Sequence, residues 1–211
     1  MSLRDALKGL KAKALEKLSE HVVDFDPQTR QLRVAATVVA PAVRAALLRK
    51  APVEEAQVRM DAEGIHVEAR AKAGFRVKTT VVPHRLELDA RAFTLHATLP
   101  AGVSFEHDSF LAGVVAASLD GLFGVAERAA NRLPGVTLKG RQLTYVRDLQ
   151  ESALLRAVGQ GVDLTVAREV GVALEAGWLR LDLAKAVPPG TQLRLPRLEQ
   201  LLRVFGVDGG R

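Results

Sequence analysis

From Val58 to Leu99 the chain alternates apolar and polar residues with a period of two, and few folds satisfy that pattern. Val58, Met60 and Ala62 alternate with Arg59, Asp61 and Glu63, then Ile65, Val67, Ala69 and Ala71 with His66, Glu68, Arg70 and Lys72. Phe75, Val77, Thr79 and Val81 continue the series, as do Leu86, Leu88 and Ala90, then Phe93, Leu95, Ala97 and Leu99. Successive side chains of a strand point to opposite faces, so this segment predicts a sheet covered on one side and wet on the other. Breaks at Glu63-Gly64, Gly74 and Pro83-His84 divide it into a meander of about four strands. A slip of one residue would turn every apolar side chain to water. Register therefore places Val67, Ala69, Val77, Leu86, Leu88 and Leu95 on the inner face.

Helices flank the meander. Residues 2–20 carry Leu3, Leu7, Leu10, Leu15 and Leu18 at helical spacing, with Ser2 as cap and Asp5 as its capping-box partner. Arg4, Lys8, Lys11, Lys13 and Lys17 occupy the other faces and make the helix basic and amphipathic. A strand from Gln31 to Val39 is expected next, then a short helix opened by Pro41 and stopped by Pro52. Asp108 or Ser109 caps a long helix reaching about Arg132 and ended by Pro134-Gly135. Between Phe110 and Val125 its only charge is Asp120, so it is apolar nearly all round and expected to be buried inside the curve of the sheet. That run is short of the roughly 20 residues a membrane span needs. Asp120 itself reads either as an orienting group in a cavity or as a carboxylate at a wet end or beside an arginine. Further strands are expected near Val136–Val146, Val162–Val166, Val170–Leu174 and Trp178–Leu183. A last short helix, opened by Pro196, carries Leu198, Leu201, Leu202 and Phe205.

The fold class is thus α+β, a curved antiparallel meander packed on a long apolar helix, with a basic amphipathic helix ahead of it. With 48% hydrophobic and 26% charged residues, the 211-residue chain reads as one globular domain over 1–211. Two related halves, about 3–72 and 109–186, are a second reading. Arg30-Gln31-Leu32, Ala46-Leu47-Leu48-Arg49 and Gly64 recur as Arg141-Gln142-Leu143, Ala153-Leu154-Leu155-Arg156 and Gly177, against the chance recurrence of common residues.

Several chemistries are excluded or left without support. The chain has no cysteine, which removes disulfides and thiolate metal sites. It holds no GxGxxG, Walker, HExxH or GxSxG pattern, so the expectation is a non-enzyme without a cofactor. His66 and His96 fall on the polar face, beside Glu68 and near Asp89, where a divalent metal is one reading and solvated surface histidines the commoner one. Glu106-His107-Asp108 lacks a nucleophile, and Asp24 and Asp26 before Pro27 read as a turn, since a calcium loop's glycine and glutamate are missing. A formal charge of +6 favours acidic partners, or simply a solvated arginine-rich surface. Nucleic acid is disfavoured, because acids interleave with the bases and aromatics make up only 4%. The first residues lack the apolar core of a signal peptide, which reads as a cytoplasmic protein, peripheral at a membrane at most.

A meander over Val58–Leu99 cradling an apolar helix at Phe110–Val125 resembles the bacterial tubular lipid-binding domains. The order of a basic helix, a turn at Glu63-Gly64-Ile65-His66-Val67 and a strand at Gly177-Trp178-Leu179-Arg180-Leu181 is similar to theirs. The resemblance covers most of the chain, rests on pattern, and implies lipid binding without transferring any functional residue.

The leading expectation is therefore an apolar ligand or anionic lipid held between sheet and helix. Val67, Ala69, Val77, Leu88, Leu95, Leu111, Val115 and Leu119 would line the cavity. Ala69, Ala71, Ala73, Ala90, Ala92 and Ala97 would leave room beneath the sheet unless the helix fills it. Arg4, Lys8, Lys11, Lys13 and Lys17 would contact the membrane, against the alternative that their helix packs its leucines on the sheet. The rival is a scaffold protein, a homodimer joined through its leucine-striped helices.

Overall fold

The computed structural model describes residues 22–50, 53–71, 75–107, 127–128, 130–131, 133–148 and 168–190. The helices expected at 2–20 and from Pro196, the strand at 162–166 and residues 109–126 of the long helix lie outside the described residues. In chain order the elements are β1 (Val23–Asp26), β2 (Gln31–Ala35), α1 (Ala36–Lys50), β3 (Val53–Met60), β4 (Ile65–Ala71), β5 (Phe75–Leu88) and β6 (Ala92–Thr98). They continue with β7 (Val103–His107), β8 (Val136–Lys139), β9 (Gln142–Asp148), β10 (Arg168–Glu175) and β11 (Trp178–Asp182). The protein is sheet-rich α+β.

β5, fourteen residues long, organises the sheet. Its second half pairs with β6 on one edge and β10 on the other, inside the order β1-β2-β11-β10-β5-β6-β9-β8. Its first half pairs with β4 and β7, and β3 extends β4. Every one of these pairs is antiparallel. Pro83-His84 is where the two halves meet. The expected turn there is not found. The register with β6 shifts between Pro83 and Arg85, which makes His84 the extra residue of a β-bulge in an unbroken strand. A bulge and a tight turn both reverse the phase of a period-two pattern, so Val81 and Leu86 share a face although their spacing is odd. The true turn is Asp89–Arg91, where the Asp89 carboxylate accepts the Arg91 and Ala92 N–H at 2.7 and 2.8 Å. Ala90 is exposed in that turn and Ala92 lies in register on the charged face, so neither lies beneath the sheet.

Two more boundaries differ from expectation. The helix begins at Ala36, so Pro41 lies inside it, and β2 stops at Ala35. The β-branched Thr37-Val38-Val39 run mimics a strand. The Ala36 N–H instead binds Gly177 carbonyl at 2.8 Å, which anchors the helix start, and a proline so near that end forfeits a single intrahelical bond. The stretch 136–146 is a hairpin, β8 and β9, turning at Gly140 with φ 56°, a conformation glycine adopts without strain.

The core sits on one face of the larger sheet. Leu32, Leu86, Leu88, Phe93, Val170, Val172, Leu181 and Leu183 form it, closed by Ala186 and Val187 from the turn after β11. Arg30, at φ 57°, ties the β1–β2 turn to that closure through Nη1 donors to the Ala184 and Val187 carbonyls at 2.8 and 3.1 Å. α1 covers β3, and the Arg44 Nε–H donates to the Ala56 carbonyl at 2.8 Å, which protects an otherwise open sheet edge.

Candidate functional site

Alternation gives the β3–β4–β5–β7 sheet two chemically distinct sides. On one side stand Val58, Met60, Ile65, Val67, Ala69, Val77, Val81 and Val103. Ile65, Ala69 and Ala56 are buried, whereas Val58, Met60, Val67, Val77, Val81 and Val103 are half-buried. On the other side the register aligns three polar rows. They are Arg59-His66-Thr80, Gln57-Glu68-Lys78-Ser104 and Glu55-Arg70-Arg76-Glu106.

A groove of about 560 Å³ opens on this polar side, lined by Gln57, Arg59, His66, Glu68, Lys78, Thr80 and Ser104, with Ala101 and Gly102 at its rim. Val58, Val67 and Thr79, on the other face by register, complete its described lining. A smaller hollow of about 260 Å³ continues it past Glu68 to Arg70 and Arg76.

His66 joins two elements across this groove. One ring nitrogen, Nε2, lies 2.9 and 3.0 Å from the Asp61 carboxylate oxygens, and Nδ1 lies 3.0 Å from Thr80 Oγ1. The Asp61 carboxylate also accepts the Glu63 and Gly64 N–H, at 2.9 and 3.2 Å, in the β3–β4 turn. The hydrogen bond from His66, helped by those two backbone donors, holds the Asp61 carboxyl below the usual carboxylate range. Gly64 is buried, and a Cβ there would collide with Thr80 Cγ2, so a larger residue would displace the Thr80 side chain. The chain Asp61–His66–Thr80 thus pins the β3–β4 turn to β5.

Charges on this face are largely matched. Lys78 Nζ lies 3.1 Å from Glu106, and Arg76 reaches Glu68 at 3.6 Å and Glu106 at 4.0 Å. The larger sheet repeats the pattern with Arg180 and Glu175 at 3.1 Å and Arg85 and Glu87 at 3.1 Å. Among the described residues no cluster of three or more His, Asp or Glu is placed to hold a metal ion.

The expected site residues separate. Val67, Ala69 and Val77 do share one face of the smaller sheet. Leu88 is fully enclosed in the core and Leu95 packs against it, so both belong to the larger sheet's interior. Ala69 and Ala97 are buried at 7% and 0% exposure, so these alanines mark close packing rather than spare room. Leu111, Val115 and Leu119, with Arg4, Lys8, Lys11, Lys13 and Lys17, lie outside the described residues. His66 pairs with Asp61 rather than Glu68, and His96 lies 3.5 Å from Glu87, while Asp89 is spent on its turn. Asp26 accepts the Gln28 N–H and the Thr29 hydroxyl at 2.8 and 2.7 Å, which makes Asp24-Phe25-Asp26-Pro27 a turn entry. Alternation places Arg59, Lys78 and Thr80 on the polar face, but only the strand register brings them together around a groove. Among the described residues no helix is long and apolar enough to cross a membrane. Comparison of the chain with protein-family models, curated proteins and solved structures finds no match.

Proposed function

We propose that the protein is a non-enzymatic module that binds lipid or another apolar molecule against the apolar side of the β3–β4–β5–β7 sheet. One observation supports this reading. From Val77 to Leu88 this side of β5 is apolar apart from Thr79, but its closure stops. Leu86 and Leu88 are buried, whereas Val67, Val77 and Val81 keep part of their surface open beside Val58, Met60 and Val103. Contiguous apolar surface of this kind gains about 25 cal/mol for each Å² a ligand removes from water.

The sequence offers Leu111, Val115 and Leu119 as the facing wall. It also offers the basic residues Arg4, Lys8, Lys11, Lys13 and Lys17 as the contact with an anionic membrane surface. Each such cation is worth about 1 kcal/mol near an anionic surface, so membrane binding is weak, reversible and salt-sensitive. This reading makes the protein cytoplasmic and peripheral.

Native mass spectrometry of freshly purified full-length protein tests it, because one spectrum reports both a retained small molecule and the oligomeric state. A retained apolar adduct, lost when Val67 and Val77 are changed to serine, is the expected result. Neither adduct nor sedimentation with anionic liposomes at low salt would end the lipid reading. A dimer mass, abolished by polar substitution of Leu7 and Leu10, would put the homodimeric scaffold in its place.

A further inference from the structure

The polar groove lies on the opposite side of the sheet from the proposed apolar site and is independent of it. Its cations differ in one respect. Lys78 and Arg76 have carboxylate partners, and Arg70 also has an interaction, but Arg59 has neither ion pair nor hydrogen bond among the described residues. Arg59 nevertheless lines the groove, in the same row as His66 and Thr80. A guanidinium presents five N–H donors in a fork that matches a phosphate or carboxylate.

Lys78 stands on the far wall. β5 is two strands from β3, so with strands about 4.8 Å apart the two backbones are separated by about 10 Å, a span two long side chains can close. Glu106 meets Lys78 Nζ at a single 3.1 Å contact, and an ammonium carries three donors. The Ser104 and Thr80 hydroxyls lie along the same wall. Glu68, the one carboxylate among the described lining residues, is drawn toward Arg76 in the adjoining hollow, which moderates its repulsion of an anion. The Asp61–His66–Thr80 chain holds this end of the groove in place before any ligand arrives, and such preorganisation lowers the entropic cost of binding.

We infer that the groove between Arg59 and Lys78 binds the oxyanion of a small phosphate ester. The ester comes either from a free metabolite or from a lipid headgroup.

Isothermal titration of the full chain at low salt, with inorganic phosphate and with glycerol phosphate as probes, tests the site. Sedimentation with vesicles containing phosphatidic acid tests the headgroup source. Arg59→Ala is expected to weaken binding about tenfold, the usual effect of one charge-assisted contact. Glu68→Gln should strengthen it, and Lys139→Ala, an exposed cation on β8, should leave it unchanged. Free esters that bind with this pattern assign a soluble ligand. Vesicle binding that shows the same dependence on Arg59, while the free esters are inert, assigns the headgroup. The proposal is overturned if no probe binds, or if Arg59→Ala and Lys139→Ala weaken binding equally. Vesicle binding that is indifferent to Arg59 while the free esters stay inert also overturns it. Loss of an apolar adduct by changes at Val67 and Val77, with phosphate binding intact, would separate this site from the apolar one.

Discussion

Along β5 the inward side chains change little while their surroundings change a great deal. At Leu86 and Leu88 the strand is flanked by β6 and β10, and the side chains meet Phe93, Val170 and Val172 in a closed core. Val77 is flanked by β4 and β7 and Val81 by β4, and the same kind of side chain keeps part of its surface open. Period-two alternation states which side of a strand is apolar. It does not state how completely that side will be covered, because coverage depends on what else packs there. The closed end supplies stability, and the open end, with a groove on its reverse side, leaves surface for a ligand.

The sharpest way to break this contrast is to place the same charge at both ends. Leu88→Arg buries an unpaired cation at a site of 0% exposure and should cost about 4 kcal/mol or more. Val67→Arg can carry its charge to water along the side chain and should cost only about 1 kcal/mol. Thermal melts followed by circular dichroism check both, and equal losses would erase the distinction. Next in size is the glycine pair of the β8–β9 region. Gly135, at φ 76°, faces the Val146 carbonyl so closely that a Cβ would collide with it, whereas Gly140, at φ 56°, has open space around it. Gly135→Ala should cost about 3 kcal/mol and Gly140→Ala about 1 kcal/mol, read from denaturant midpoints.

Gly64→Ala acts on the open end. It should cost about 1–2 kcal/mol and displace Thr80, which a shift of the His66 ring resonances would report. The smallest effect is acidic. Asp61 in the smaller sheet, lowered chiefly by His66, and Asp89 in the larger one, lowered by the Ala92 and Arg91 N–H, both titrate below the ordinary carboxylate range when folded. A depressed folded pKa contributes stability above the unfolded value of about 3.8, and that contribution is lost as pH falls through the folded value. Asp61→Asn and Asp89→Asn should therefore each flatten the acid limb of stability against pH below about pH 4, measured by urea unfolding.

Much of the sheet was legible because its information is local. The turn at Glu63-Gly64 and a shared face for Val67, Ala69, Val77, Leu86, Leu88 and Leu95 follow from spacing alone, and the pairing shows both, although Val67, Val77 and Leu95 keep part of their surface exposed. Pro83-His84 reads as a turn in the sequence because bulge and turn leave the same trace in a one-dimensional pattern. The position of β10 beside β5, of β9 beside β6 and of β11 beside β2 could not be read, since each pair joins segments with no local signal of one another. The groove was illegible for the same reason. Arg59, His66 and Thr80 form a row only once three strands are in register.

The pairing of β2 with β11 has a consequence for the chain as it is made. Leu32 sits opposite Leu181 and Val34 opposite Leu179, so these early residues acquire their partners only when nearly 150 more have been synthesised. At a synthesis rate of about 5–20 residues per second that is a wait of roughly seven to thirty seconds. During that interval the β1–β2 hairpin carries the core residues Leu32, Val34 and Ala35 and an unpaired edge, and a two-stranded hairpin is at best marginally stable alone. Of the described strand pairs this one joins the residues farthest apart in the sequence, so Leu32 and Val34 wait longest for their partners as the chain is made.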